Sequence, residues 1–158
     1  MEQPIPTNET LVEEIMETDV HTVDCESTVK DAATVMAEEG HGCVIVIRDR
    51  TAVGIVTERD IVHKITADAI DPSKIRVEDI MSSPLVTISP KAEIRKAAER
   101  MSLYEIRRIV VADELGRMVG LLTAGDLAEW LAKQKNYSDP MLNAIARIKR
   151  VGTGGPYA

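Results

Sequence analysis

The chain contains itself twice, and this internal repeat constrains its fold more than any other feature of the sequence. Val12-Glu13-Glu14-Ile15-Met16 returns as Val77-Glu78-Asp79-Ile80-Met81, 65 residues along. Val20-His21-Thr22-Val23 returns as Leu85-Val86-Thr87-Ile88 at the same offset, and Met36 answers Met101. The stretch Gly54-Ile55-Val56-Thr57-Glu58-Arg59-Asp60 then returns as Gly120-Leu121-Leu122-Thr123-Ala124-Gly125-Asp126, at an offset of 66. One residue was gained between the third and fourth landmarks, and turns take insertions most cheaply. Four landmarks in register with one insertion mark a duplication.

Each copy carries the same coarse elements. Ser27 reads as the N-cap of a helix over 28–39, with Val29, Ala32, Ala33 and Met36 on one face and Gly40 at its end. Ser89-Pro90 reads as the matching cap, ahead of a stripe of Ile94, Ala97, Ala98 and Met101. The apolar runs at 43–47 and 109–112 predict buried strands. A polar turn follows each, then a second strand at 53–56 or 118–122 and a helix at 58–65 or 124–133. With a short strand at Thr22 or Thr87, each unit reads β-α-β-β-α. The expected fold is therefore mixed α/β (α+β), two such units joined by a short linker and packed on each other. The boundaries expected are 11–68 for the first unit, 69–76 for a linker broken at Asp71-Pro72-Ser73, and 77–135 for the second. Residues 136–158 hold an extra C-terminal helix at 139–150, with Met141, Leu142, Ile145 and Ile148 on one face, and a flexible tail.

Bulk properties exclude several classes. Apolar residues form 44% of the chain, enough for a core, but aromatics are 3% with no Phe, so aliphatic residues and Met must fill it. No apolar run approaches the roughly 18–20 residues of a membrane span. The start Met1-Glu2-Gln3-Pro4 does not read as a secretory signal. Cys25 and Cys43 fit no zinc motif and read as buried thiols in a reducing cytosol. A net charge of −7 argues against general nucleic-acid or membrane-surface binding, so any phosphate site must concentrate its cations locally.

The chemistry centres on Thr57-x-x-Asp60 and its copy Thr123-x-x-Asp126. At a strand-to-helix junction this spacing is that of a capping box, which satisfies orphan N–H groups. The same place suits a ligand, because free N–H donors and a partial positive charge attract anions and a carboxylate can accept both ribose hydroxyls. The residues alone leave both readings open. The surrounding pattern is more specific: Ile-Met, a short Val-x-Thr strand, helix, apolar strand, then Gly, two apolar residues and Thr-x-x-Asp. Over about 11–131, and in both copies, this resembles the CBS domain family.

The resemblance implies domains paired about a pseudo-twofold axis, with two clefts between their sheets. Such pairs take AMP, ADP, ATP or S-adenosylmethionine as regulatory ligands and often form homodimers. It implies ribose contacts for Asp60 and Asp126, ribose or phosphate contacts for Thr57 and Thr123, and adenine near Thr22 and Thr87. Phosphate would fall to Arg59 in the first copy, where the second has Gly125, and to Arg107 and Arg108, where the first has Gly42 and Cys43. Solvation or pairing with Glu105 is the plainer role for the two arginines, and His41 is a further candidate beside the first apolar strand. His21 and His63 show no spacing that suggests a metal ligand.

No catalytic constellation appears, so the expectation is a cytoplasmic sensor that acts on an effector protein in trans, with no obligatory cofactor. The alternative is a dimerising or docking scaffold whose clefts stay empty.

Overall fold

The computed structural model describes residues 10–133, so the expected helix at 139–150 and the tail lie outside the described residues. In chain order the elements are α1 (Val12–Ile15), β1 (Thr22–Asp24), α2 (Val29–Glu39), β2 (Cys43–Arg48), β3 (Thr51–Thr57) and α3 (Glu58–Ile61) in the first half. The second half has β4 (Thr87–Ile88), α4 (Ile94–Leu103), β5 (Arg108–Ala112), β6 (Met118–Thr123) and α5 (Ala124–Ala132). They build two three-stranded sheets, ordered β1-β2-β3 and β4-β5-β6, each with one parallel and one antiparallel pair.

Sequence pattern explains the strands. The apolar run of β2 is continuous because both its faces are covered. Val44 and Val46 join Val29, Ala32 and Met36 of α2 in one buried cluster, while Cys43 and Ile45 join residues of the second half in another. The first hairpin turns through Asp49 and Arg50, both left-handed at φ 49° and 65°, which matches the twist of the flanking strands. Val46 faces Gly54 and Val111 faces Gly120, so the added residue lies within the second hairpin's turn.

Helix ends differ from expectation in three places. Thr28, not Ser27, caps α2, because its hydroxyl accepts from Asp31 N at 3.1 Å while Asp31 reaches back to Thr28 N. The helix expected from Ser89-Pro90 starts only at Ile94. Ser89 to Ala92 form a turn closed by Ala92 N donating to Ser89 O, and Glu93 is held in an isolated bridge to Leu11. The helix after Thr57 keeps α geometry for one turn, then widens into a π-helical turn at Val62–Thr66, where Ala67 N bonds Val62 O.

The halves are joined by exchange. Residues 10–17 open the first unit in sequence but dock on the second half. Val12 N donates to Ala92 O at 2.8 Å, Ile94 N to Thr10 O at 3.0 Å, and Glu17 bridges Leu121 on the free edge of β6. The equivalent residues 75–82 dock on the first half: Val77 N donates to Ser27 O at 2.8 Å, Val29 N to Ile75 O at 2.8 Å, and Ser82 bridges Ile55 on β3. Reciprocal docking of equivalent segments is what a pseudo-twofold axis produces. It also places Val12 in the core of the second half and Val77 with Ile80 in that of the first.

Two glycines make the exchange possible. A Cβ at Gly54 would stand 2.4 Å from Met81 Sδ, and one at Gly120 would stand 2.6 Å from Met16 Sδ and 2.8 Å from the Glu17 carbonyl oxygen. The repeated Ile-Met and the repeated Gly are therefore partners across the halves. Met81 can swing aside, but the Glu17 carbonyl belongs to the backbone. Gly120→Ala is expected to cost about 1–3 kcal/mol and Gly54→Ala less. Thermal unfolding of both variants checks this, and equal losses would show that the backbone contact does not decide the cost.

Candidate functional site

Both Thr–Asp pairs sit where a buried strand meets a helix, and both are complete capping boxes. Asp60 Oδ2 accepts from Thr57 N at 2.9 Å and from its hydroxyl at 3.2 Å, while Thr57 Oγ1 accepts from Asp60 N at 3.3 Å. In the second half Asp126 Oδ2 accepts from Thr123 N at 2.8 Å, and Thr123 Oγ1 accepts from Asp126 N at 3.1 Å. The next helical N–H in each case is taken by a carbonyl of the turn before the central strand, Glu58 N to Gly42 O and Ala124 N to Arg107 O. Each cap thus engages Oδ2 of its carboxylate and leaves Oδ1 outside the box.

What meets the rest of the carboxylate differs between the halves. At Asp60, which is buried, Lys64 Nζ stands 3.0 Å from Oδ1 and also donates to Ile80 O at 2.7 Å. Lys64 in turn borders a cavity of about 470 Å³. Its wall draws Ser82 from the end of the segment docked on the first half, Ser83 and Val86 from the stretch leading into β4, and Tyr104 and Ile106 from the turn before β5. Cation, hydroxyls and apolar wall therefore converge between the halves, the usual make-up of a small-molecule site. At Asp126 the position equivalent to Ser82 is Glu17. Partial burial, then the Asp126 charge, hold the Glu17 carboxyl above its ordinary range, with His41 and Arg108 pulling it back.

The CBS domain family's sequence model matches residues 12–67 and 77–133. The chain belongs to the CBS domain family. Protein MK0525 of Methanopyrus kandleri is 32% identical over 119 residues, 75% of this chain and 61% of its own length, so the chain spans about six tenths of that relative. A CBS domain protein of Thermoplasma acidophilum, TA0289, superposes with a TM-score of 0.76 at 26% identity, over 90% of this chain and 75% of that one. A CBS pair from protein MJ0100, solved with 5′-methylthioadenosine and S-adenosyl-L-methionine, superposes with a TM-score of 0.72 at 26% identity, over 80% and 98% of the two chains.

Within this CBS pair the other expected site residues scatter. Arg59 is half-buried on α3, Thr22 and Thr87 are exposed on edge strands, and Val86, not Thr87, borders the cavity. Arg107 is exposed and contributes its carbonyl to the cap of α5. Arg108 reaches the seam between the halves: its guanidinium lies 3.2 Å from where a Gly42 Cβ would be, with the Glu58 carboxylate 3.7 Å from the same point. The bare backbone of Gly42 thus makes room for Arg108. Cys25 and Cys43 are buried free thiols, and burial pushes that of Cys43 up, with Arg108 opposing.

Lys64 and Glu17 were missed from sequence. The first had a signal, since a lysine four residues after Asp60 shares its helix face. Glu17 had none, because it meets Asp126 only through the exchanged segment. Glu17→Gln should remove a repulsion and raise stability at neutral pH by about 0.5 kcal/mol, a figure kept small because the group is solvent-screened. A lowered unfolding midpoint would show instead that the carboxyl pair holds the halves together.

Proposed function

We propose that this CBS pair is a regulatory module that binds a phosphorylated adenosine, AMP, ADP or ATP, in the first cleft. The observation that carries the reading is the convergence at the cavity bordered by Lys64, the partner of Asp60. Asp60 Oδ1 is paired with a lysine side chain rather than a backbone group, Lys64 supplies the positive charge a phosphate needs, and Val86 with Ile106 offers an apolar wall for a base. The adenosyl class draws support from the pair of protein MJ0100 solved with two adenosyl ligands. Lys64 favours phosphate over the sulfonium of S-adenosylmethionine, because like charges repel in a part-buried site. The second cleft, with Glu17 beside Asp126, holds phosphate less well. Arg108, whose charge reaches Glu17, offers that cleft positive charge, with Arg107 next to it in the chain, while Thr57 and Thr123 hold the two carboxylates through their caps.

The mechanism follows from the architecture. A ligand touching Lys64 of one half and Tyr104 or Ile106 of the other favours one relative setting of the halves, and shifts the population only by its differential affinity for the two settings. With no catalytic group engaged, the output is read in trans by an effector protein or across a homodimer in the cytoplasm. Among the described residues, no helix is long and apolar enough to cross a membrane. The complete capping boxes favour one rival, a scaffold in which both motifs only end helices and the clefts stay empty.

Thermal unfolding with AMP, ADP, ATP, S-adenosylmethionine and GTP separates the two. A ligand at about a hundred times its dissociation constant adds roughly 2.7 kcal/mol, a shift of several degrees for a chain of this size. The expected result is a rise with the phosphorylated adenosines, smaller with the other two. Lys64→Met and Asp60→Asn, the latter able to keep the cap, should each reduce it. No rise with any ligand leaves the scaffold.

A further inference from the structure

Just ahead of β1 and β2, three side chains of metal-ligating type meet. The donor atoms of Asp19, His21 and His41 all lie within 4.8 Å of one another. Asp19 and His21 are neighbours in sequence, and the parallel pairing of β1 with β2 brings His41 to them: Ile45 N donates to His21 O at 3.0 Å, which sets the residue before β1 beside the turn that enters β2. The His21 and His41 rings stand 4.8 Å apart, tilted by 54°. Glu39, the last residue of α2, adds a second carboxylate 3.7 Å from His21 Nε2, and Asp19 lies 3.8 Å from the same atom.

The His21 nitrogen at the centre is the telling atom. Nε2 is shielded from solvent and has no hydrogen-bond partner. The two carboxylates stand within 4 Å of it, yet too far for a hydrogen bond. A buried polar atom without a partner carries a cost that native structures avoid. The setting favours a positive charge, since the C-terminal carbonyls of α2 end beside Glu39 and His41.

We propose that His21, His41 and Asp19, with Glu39 as the fourth donor, form a binding site for a divalent transition-metal ion of the zinc class. Two imidazoles and carboxylates suit such ions better than magnesium or calcium. Tetrahedral zinc with ligands at 2.0–2.2 Å needs donors about 3.3 Å apart. The present separations close to that by rotation of Asp19 and Glu39, whose side chains are 88% and 51% exposed. The imidazoles are the anchors and the carboxylates the adjustable pair. This site takes His41 away from the nucleotide role and stands independently of whether either cleft binds a ligand.

The test uses the full chain, stripped with a chelator, dialysed against zinc chloride and assayed for retained metal, with calorimetry for affinity. One zinc per chain is expected, and His21→Ala and His41→Ala should each weaken binding by more than about tenfold. Asp19→Asn and Glu39→Gln, on exposed side chains, give folded variants with intermediate loss even if a histidine variant fails to fold. Cobalt(II) in place of zinc should show visible d–d absorption without thiolate charge transfer. Failure of the wild-type chain to retain zinc overturns the proposal. So does retention unchanged by both histidine substitutions, or a thiolate signature that moves the metal to Cys25 or Cys43.

Discussion

Everything in this molecule depends on the exchange of lead-in segments between its halves. Each sheet ends on a strand whose outer edge would be left unpaired, β3 in one half and β6 in the other, and the lead-in of the opposite repeat bridges it. Exposed edges are a liability that proteins cover, and here the cover is internal. Met16 and Met81 lie where a side chain on Gly120 and Gly54 would have to go, so the backbones approach closely only because both strands carry glycine there. The same docking sets the relative orientation of the sheets and hence the shape of both clefts.

The two Thr–Asp motifs show how a structural device can also serve a site. In each, the hydroxyl and one carboxylate oxygen complete a capping box that ends a buried strand and starts a helix. The cap rigidifies the carboxylate without exhausting it. The identity of its neighbour then sets the chemistry: an ammonium at Asp60, a second carboxyl at Asp126. Duplication made the halves alike, and a few substitutions in the exchanged segments and final helices made their clefts different.

Much of this was legible in the residues. The repeat, the order β-α-β-β-α, the strand positions and both capping boxes follow from periodicity and from Thr-x-x-Asp spacing. The misplaced helix starts have one cause. Ser27 and Ser89 are good caps by type, but Thr28 and Glu93 are the residues engaged by the other half's lead-in, at Arg76 and Leu11, and that pairing decides where helical geometry begins. In both places a local preference gave way to a contact made from the other half of the chain.

Local sequence by itself determined the elements, the duplication and the carboxylates that can face a ligand, because capping and strand burial depend on neighbours along the chain. Only the tertiary structure decided that Glu17 lies against Asp126, that Tyr104 and Ile106 complete a cavity begun by Lys64, and that His21 meets His41. Those meetings join residues far apart in sequence through strand pairing and through the exchange across the pseudo-twofold axis. No spacing along the chain encodes them: the first two exist only once both halves have formed and traded their first segments, and the histidines meet only once β1 pairs with β2.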